Sequence, residues 1–233
     1  AFISGFTAYL QTLTNRRNPD TTLSPNSIAK HLKTLRAILN KAADDGLIQP
    51  YEIPRKLISV KEIPPTITGL QDEELNKLIN LPIKEHTDRW NARNLFLFAM
   101  YEGGIRIGDI IQLRWRNIVG DRLIYVMTKN GKQVNVILVQ EAKKILMRYK
   151  RQGQRPEHYI FPYLDSNAEY AKYLDYEDRQ KMPPDISKKL FETINAREAR
   201  IGMMLREIRA LTGIPHLTFH TARHTFALRA KEA

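Results

Sequence analysis

Apolar positions near the start of the chain recur at helical spacing and predict two amphipathic helices. The first covers residues 1–16, and the polar run at residues 15–20 breaks it. The second begins behind Ser24, a plausible N-cap, with Pro25 in the first helical position, and Gly46 ends it. The predicted apolar sides are Phe2, Ile3, Phe6, Tyr9, Leu10 and Leu13, then Ile28, Leu32, Leu35, Ile38, Leu39 and Ala42.

Prolines interrupt the pattern over residues 50–68 and indicate a linker at residues 59–68. Consecutive prolines are extended and cannot continue a helix, as at Pro64 and Pro65. We therefore place a domain boundary near residue 65, with a helical domain over residues 1–64 and a second domain over residues 65–233.

The second region is predicted to be mostly helical with one small sheet. Acidic residues 72–74 begin a helix. The predicted helices that follow cover residues 91–101, 105–113, 141–149 and 186–211, the last closed by Gly213. The core side of that last helix is predicted to be Leu190, Ile194, Ile201, Met204, Leu205, Ile208 and Leu211.

Strands are predicted at residues 115–119, 123–127 and 133–138. The last two flank Asn130-Gly131, and Asn-Gly between alternating apolar runs is a strong hairpin signal. Residues 159–162 form a short extended piece. Residues 165–185 are polar and tyrosine-rich, which indicates an inserted loop.

The charge balance points to a polyanionic partner. The chain has 37 Lys+Arg against 25 Asp+Glu, a formal net charge of +12 over 233 residues. Clustered cations release counterions from phosphates on binding, although a solvated basic surface gives the same balance. Four basic residues of the second helix lie mostly off its apolar stripe: Lys30, Lys33, Arg36 and Lys41. This arrangement suits a helical module that binds a nucleic-acid backbone, and it suits a solvated surface equally well.

Composition also excludes several classes of site. With no Cys, the chain has no disulfide, thiol nucleophile or Cys-ligated zinc or iron–sulfur centre, and a reducing cytoplasm fits it. No apolar run approaches the roughly 18 residues that a membrane span requires. The chain starts at Ala1 inside an apolar pattern, so we expect a fragment of a longer product.

The first candidate site is the run from residue 101 to residue 109. Gly103 and Gly104 permit a sharp turn and a close backbone approach. Arg106 then falls in the first turn of the next helix, where amide N–H groups and a guanidinium converge on an anion, and Asp109 could hold the Arg106 side chain. The alternative is an ordinary turn with a surface arginine paired to Asp109.

Two further candidates are Lys129 in the hairpin turn and the run from His220 to His224. A turn lysine can donate a proton or merely aid solubility. In a helix His220, Arg223 and His224 share a face. A metal hypothesis also exists, because His216 precedes His220 by one helical turn, but Pro215 argues against one continuous helix.

Taken together, these residues suit metal-free phosphoryl transfer without a cofactor. Arg106 and Arg223 supply two guanidiniums, Lys129 an ammonium and His220 an imidazole, with no paired carboxylates. Two arginines would neutralise the non-bridging oxygens of a phosphodiester as charge develops in the transition state.

The chain resembles the tyrosine recombinases, the phage integrase family, in three motifs in the family's order. Gly-Gly-Ile-Arg106-Ile-Gly-Asp109-Ile-Ile-Gln-Leu-Arg-Trp is similar to the first box, Gly-Leu-Arg-x-x-Glu/Asp-Leu-x-x-Leu-x-Trp. Thr-Lys129-Asn-Gly-Lys resembles the catalytic-lysine hairpin. His220-Thr-Ala-Arg223-His-Thr-Phe-Ala resembles the second box, with Ala222 where the family has Leu.

The resemblance implies a mainly α fold with a small antiparallel sheet. An N-terminal helical, SAM-like core-binding domain (1–64) would clamp DNA, and an α+β integrase-type catalytic domain (65–233) would follow, C-terminally incomplete. The implied activity is site-specific recombination or integration through a 3′-phosphotyrosyl intermediate, with double-stranded DNA as substrate and no membrane partner.

The resemblance also implies roles for individual residues. Arg106 and Arg223 would clamp the scissile phosphate, and His220 would bind it or assist the nucleophile. Lys129 would protonate the departing 5′ oxygen, with Lys132 beside it contacting DNA. Asp109 and His224 would support the site.

The nucleophile is expected outside this chain. In the family the attacking tyrosine lies a few tens of residues beyond the second arginine, whereas the chain ends at Ala233, soon after Arg223. Tyr170, Tyr173 and Tyr176 lie in the polar loop, and nothing places them beside Arg223. The family often docks this segment on a neighbouring protomer, which implies a dimer or tetramer on DNA.

Two alternatives to a recombinase remain open from the sequence. One is a non-catalytic DNA-binding or regulatory protein with a recombinase-like fold. The other is a type IB topoisomerase, which shares the chemistry, although the helical N-terminal module and the small size favour a recombinase.

Overall fold

The computed structural model describes residues 2–15, 18–53, 63–64 and 67–232. The chain divides into two compact units, residues 1–66 and 67–233, and is mainly α-helical with small antiparallel sheets. Of the predicted linker, residues 59–62 and 65–66 lie outside the described residues, and the others have no helix or strand. Within the described ranges no helix is long and apolar enough to cross a membrane.

The N-terminal unit is built on two helices. Its elements are α1 (Phe2–Thr12), β1 (Thr14–Asn15), β2 (Asn18–Thr22) and α2 (Pro25–Asp44), followed by a 3-10 turn at Pro50–Glu52. The Ser24 side chain accepts a hydrogen bond from the Ser27 amide at 3.2 Å, so the predicted N-cap is confirmed. Beyond α2, Gly46 adopts a left-handed φ of +73° that suits glycine.

The buried core of this unit is small and contains fewer residues than the predicted apolar sides of the two helices. Its buried apolar residues are Ile3, Leu10, Ile28, Leu32 and Ile53. Phe2, Tyr9 and Ile38 are exposed, so their assignment to the apolar side was wrong. Of the predicted polar break at residues 15–20, residues 16 and 17 lie outside the described residues. The others differ from the prediction, because β1 and β2 pair as antiparallel strands with Asn15 opposite Asn18, and the Leu23 amide donates to the Leu13 carbonyl at 2.9 Å.

The C-terminal unit surrounds one buried helix. Its helices are α3 (Asp72–Asn80), α4 (Asp88–Tyr101), α5 (Ile107–Ile110), α6 (Gln140–Met147), α7 (Tyr176–Gln180), α8 (Pro184–Thr212) and α9 (Phe219–Glu232). Residues 91–100 of α4 are all buried, as the apolar run predicted, and α4 packs against α6, α8 and α9. The core continues through side chains such as Phe96, Phe98, Phe161 and Ile201.

A three-stranded antiparallel sheet lies beside these helices in the order β3 (Ile118–Val119), β4 (Arg122–Val126) and β5 (Gln133–Ile137). The predicted β4–β5 hairpin is confirmed, with Val126 paired to Gln133. The predicted strand at residues 115–119 was mostly wrong. Residues Trp115–Asn117 form a 3-10 turn, because the Asn117 side chain caps the Arg114 amide at 2.8 Å.

Three other predictions in this unit need correction. The helix expected over residues 105–113 is a single turn. The inserted loop at residues 165–185 contains a 3-10 turn at Glu169–Lys172 and the short helix α7, with Tyr170 buried. Leu211, assigned to the core side of α8, is exposed because it lies in the last turn, next to the Gly213 C-cap.

Candidate active site

A cleft of about 620 Å³ in the C-terminal unit brings the predicted chemical groups together. Arg106, Lys129, His220 and Arg223 all line it, together with Asp109. They come from α5, the β4–β5 turn and α9, three elements that are distant in sequence. The fold therefore forms one cationic site from separate motifs.

Arg106 is the N-cap residue of α5 and is half-buried. Its Nη1 lies 3.2 Å from the Met127 sulfur, which is a weak acceptor. Asp109 Oδ1 accepts instead from the Thr128 amide at 2.9 Å, and within the described residues no ion pair joins Asp109 to Arg106. The expectation that Asp109 holds the Arg106 side chain is therefore wrong for this structure. Asp109 ties α5 to the hairpin.

The Gly-Gly turn lets α9 approach α5 closely. Gly104 has a φ of +69°, and a Cβ there would lie 2.7 Å from Arg223 Cα and 2.8 Å from Arg223 Cγ. The Gly104 carbonyl accepts a hydrogen bond from Arg223 Nη1 at 3.0 Å. Only glycine combines this φ with this contact, so the turn sets the position of the second arginine.

Lys129 is exposed at the tip of the β4–β5 hairpin. The Met127 amide donates to the Lys132 carbonyl at 2.9 Å, and the Gly131 amide donates to the Met127 carbonyl at 2.9 Å. Gly131 closes the turn with a φ of +65°. Lys132 is also exposed, so both lysines are accessible to a ligand lying on this hairpin.

The histidines of α9 divide into two environments. His220 lines the cleft and is exposed, whereas His224 is half-buried one turn later and is not part of the cleft lining. Their rings form an edge-to-face pair with centroids 4.3 Å apart. Burial lowers the pKa of His224, and the charges of His220 and Arg223 lower it further, so His224 favours the neutral form.

His216 does not join a metal site with the other two histidines. It precedes α9, and its Nε2 lies 3.2 Å from the Gly69 carbonyl and 3.5 Å from the Glu74 carboxylate. Across the described part of the chain, no group of three or more His, Cys, Asp or Glu side chains is placed to hold a metal ion.

The sequence pattern did not indicate the apolar wall of the cleft. Phe191 and Ile194 from α8 and Phe219 from α9 form it, and Phe191 is exposed. The signal for this wall in the sequence was Phe191, a large aromatic residue directly after the core residue Leu190. The cleft thus presents cations beside an apolar surface.

One buried acid, one half-buried acid and one buried phenol in this unit were also missed or given no role. Glu102, 2% exposed at the end of α4, accepts from the Val139 amide at 3.1 Å, and burial raises its pKa to about 7. Burial raises the pKa of Tyr125 to about 12, with Asp109 adding to the shift. Burial also raises the pKa of Glu198, beside Asp109. A sequence pattern carries no information on such desolvation.

The predicted basic face of the N-terminal unit lies on α2. Lys30, Lys33, Arg36 and Lys41 are all exposed. Lys41 pairs with Asp45 at the end of the helix. Each of these side chains is accessible to a polyanion.

Comparisons with known proteins identify the family of the chain. Residues 69–233 match the Phage integrase family, and residues 1–58 match the Phage integrase SAM-like domain. A XerC-like tyrosine recombinase of Caldanaerobacter subterraneus subsp. tengcongensis is 24% identical over 220 residues, covering 85% of this chain and 53% of the relative. Transposase A from transposon Tn554 of Staphylococcus aureus is 29% identical over 171 residues, covering 69% of this chain and 40% of the relative.

Solved structures show the same fold. A lambda integrase dimer bound to a COC′ core site superimposes with a TM-score of 0.55 at 16% identity, covering 88% of this chain and 66% of that chain. Lambda integrase bound to DNA gives a TM-score of 0.54 at 16% identity, with 89% and 66% covered. The chain spans about half the length of the curated relatives it matches. Because the family match extends over residues 69–233, most of the chain, the protein belongs to the phage integrase family of tyrosine recombinases.

Proposed function

We propose that this chain is the DNA-clamping and catalytic part of a site-specific recombinase that cleaves and rejoins DNA through a 3′-phosphotyrosyl intermediate. The observation that carries the proposal is the convergence of Arg106, Lys129, His220 and Arg223 on one cleft. Donors fixed around a phosphate stabilise the charge that develops in phosphoryl transfer.

In this proposal the two arginines bind the scissile phosphate. Arg223 is oriented by its bond to the Gly104 carbonyl. Among the described residues, the one hydrogen-bond partner of the Arg106 side chain is the Met127 thioether, a weak acceptor, so its remaining donors can turn to a phosphate. Guanidinium forks suit phosphate oxygens. His220 contacts the phosphate or the nucleophile. Asp109 supports the site from α5 through its bond to the hairpin, and His224 supports it from α9.

Lys129 would protonate the departing 5′ oxygen. Its position on an exposed turn, facing a cleft lined by two arginines, allows it to reach a leaving group on a phosphate held there. The phosphotyrosyl bond conserves the energy of the phosphodiester, so rejoining requires neither ATP nor a metal ion.

We propose that the attacking tyrosine is supplied from outside residues 1–233. Within the described residues no tyrosine lines the cleft. Tyr170 is buried, and Tyr176 lies against Gly131 on the hairpin. A tyrosine supplied by another protomer would make a dimer or tetramer on DNA the active species.

Double-stranded DNA is the proposed substrate, which α2 and the hairpin would contact through Lys30, Lys33, Arg36, Lys41 and Lys132. Exposed cations of this kind bind a phosphate backbone mainly through counterion release. The localisation that corresponds to this function is the cytoplasm, in association with DNA.

The test is formation of a covalent complex. The natural protein that contains this chain, incubated with a nicked duplex carrying its recombination site, is expected to give a protein–DNA adduct that survives denaturation. Arg106→Ala and Arg223→Ala should each remove the adduct while DNA binding is largely kept. Arg200→Ala, which breaks an exposed surface pair with Asp88, is the matched control and should leave the adduct unchanged.

The same experiment separates the alternatives. Salt-dependent binding without any adduct would favour a non-catalytic DNA-binding protein with a recombinase-like fold. Relaxation of supercoiled DNA that carries no recombination site would favour a topoisomerase.

A further inference from the structure

Helix α5, which begins after Arg106 and contains Asp109, is too short to be stable on its own. α5 is a single turn of four residues, and a helix this short has too few internal hydrogen bonds to be stable alone. Its position therefore depends on outside contacts. One is the bond from the Thr128 amide to Asp109. Another begins at Gln112, whose Nε2 donates to the Gly108 carbonyl at 2.7 Å.

Gln112 is held in turn by an arginine from the tyrosine-rich segment. Arg179 of α7 donates from Nη1 to Gln112 Oε1 at 2.7 Å and from Nε to the Asp175 carbonyl at 3.2 Å. Burial lowers the pKa of Arg179, but an arginine stays charged at neutral pH. The bonds run without interruption from α7 through Gln112 to the backbone of α5.

The segment that carries Arg179 is itself anchored from the α5 side. Arg114 donates from Nη2 to the Ala171 carbonyl at 3.1 Å and to the Tyr159 hydroxyl at 2.9 Å. Tyr170 and Met182 are buried in a small core that α8 completes. Two arginines therefore connect the segment to the residues that follow α5: Arg114 donates to the segment, and Arg179 donates from the segment to Gln112.

The same segment contacts the turn that carries Lys129. A Cβ built on Gly131 would lie 3.4 Å from the Tyr176 hydroxyl oxygen and 3.5 Å from its ring. The Tyr176 side chain therefore packs against the hairpin tip, beside Lys129. α7 is thus linked to two elements of the cleft, to the single turn through Gln112 and to the hairpin through Gly131.

We propose that residues 165–182 form a brace that sets the positions of α5 and the Lys129 turn before DNA binds, with Arg179 and Tyr176 as positioning residues. Arg179 acts on Arg106 through Gln112, and Tyr176 acts on Lys129 through Gly131. The functional consequence rests on the proposed recombinase chemistry, whereas the structural role does not.

Hydrogen exchange tests the brace without DNA. Arg179→Gln is compared with Lys181→Gln, which removes the same charge from an exposed position in the same segment. We expect amides of residues 109–113 to exchange at least 10-fold faster in Arg179→Gln only. Tyr176→Ala should do the same for the hydrogen-bonded amides of Thr128 and Gly131, and Tyr176→Phe, which keeps the ring, should not. Unchanged exchange at these amides would overturn the proposal, and so would an equal rise in α6, since the residue would then support the whole unit.

Strand cleavage tests the functional consequence in the natural protein. At saturating nicked DNA, Arg179→Gln and Tyr176→Ala are expected to slow cleavage by about 10- to 100-fold, because small displacements of reacting groups have effects of this size. A 5′-bridging phosphorothiolate substrate, whose thiolate leaves without a proton, should restore Tyr176→Ala but not Arg179→Gln. Equal defects of both variants on both substrates would overturn the separate roles. If the wild-type protein forms no adduct, the proposed function fails, and hydrogen exchange still decides the brace.

Discussion

The basic helix of the N-terminal unit and the cleft of the C-terminal unit both concentrate positive charge, but they hold it differently. On α2 the cations are exposed side chains such as Lys30 and Arg36. In the cleft, Arg223 is fixed by the Gly104 carbonyl, and Arg106 sits at the start of a helix that Asp109 ties to the hairpin.

Under the proposed function, this difference would separate DNA binding by α2 from chemistry in the cleft. Mobile cations add to the attraction for a polyanion in proportion to their number, and they tolerate substitution. Oriented cations stabilise one charge distribution, so their effect depends on fixed geometry. We therefore expect geometry-breaking changes to be severe in the cleft and mild on α2.

The largest effect is expected at Gly104. Gly104→Ala introduces a Cβ 2.7 Å from Arg223 Cα at a φ of +69°, so α9 must move away. We expect loss of the covalent adduct by more than about 100-fold and destabilisation of about 2–4 kcal/mol, from overpacking and backbone strain together. Adduct yield and urea unfolding measure these two quantities.

The control is Gly46→Ala at the end of α2. Gly46 has a similar φ of +73° but no atom within 4 Å of its Cβ position. It should lose only about 1 kcal/mol from the left-handed backbone, with the adduct retained. Equal losses at both glycines would contradict the distinction between the two regions.

Charge-conserving substitutions test the same difference without changing net charge. Arg106→Lys should slow cleavage by roughly 100-fold, because a lysine cannot reproduce the guanidinium fork on a phosphate. Arg36→Lys on α2 should change DNA affinity by less than about two-fold, since only the charge matters there. Single-turnover cleavage and equilibrium binding provide the measurements, and a severe defect in Arg36→Lys would instead indicate specific recognition by α2.

The buried acid at the end of α4 predicts a pH dependence. Burial raises the pKa of Glu102 from 4.5 to about 7, so the folded chain keeps a proton that the unfolded chain releases between these values. Stability should therefore fall as pH rises from about 4.5 to about 7 and then level off. Glu102→Gln should be more stable than the wild type above pH 7 by about 1–3 kcal/mol and lose this advantage below pH 4.5.

Chemical denaturation across pH 4–8 measures this difference. Asp45→Asn, which removes the exposed partner of Lys41 on the N-terminal unit, is the control and should change stability by less than about 0.5 kcal/mol. A constant difference between Glu102→Gln and the wild type at all pH values would show that the carboxyl does not titrate in this range.

The sequence was most informative where local chemistry decides the structure. The Ser24 cap, the buried run of α4 and the Asn130-Gly131 hairpin depend on a few neighbouring residues, and all are confirmed. The charged residues that line the cleft could also be identified from the sequence, because they lie in short motifs such as the one around Arg106.

Long-range contacts explain what the sequence could not indicate. The helix predicted after Gly104 is only one turn, because the following residues turn to place Arg114 in the segment at residues 165–182. That segment was predicted to be an inserted loop, since its tyrosines find buried partners only in the tertiary structure. The predicted pairing of Arg106 with Asp109 is absent among the described residues, and Asp109 Oδ1 instead accepts from the Thr128 amide of the hairpin, a contact distant in sequence.

The smallest expected effect belongs to the basic helix. In Lys30→Gln/Arg36→Gln, two exposed cations of α2 are lost, and we expect the slope of log affinity against log salt to fall by about one for each phosphate contact removed. Affinity should fall several-fold, while the cleavage rate at saturating DNA stays unchanged, because the cleft is untouched. A fall in the saturated rate would show that α2 also positions the DNA in the cleft, and charge on the two regions would then serve one function.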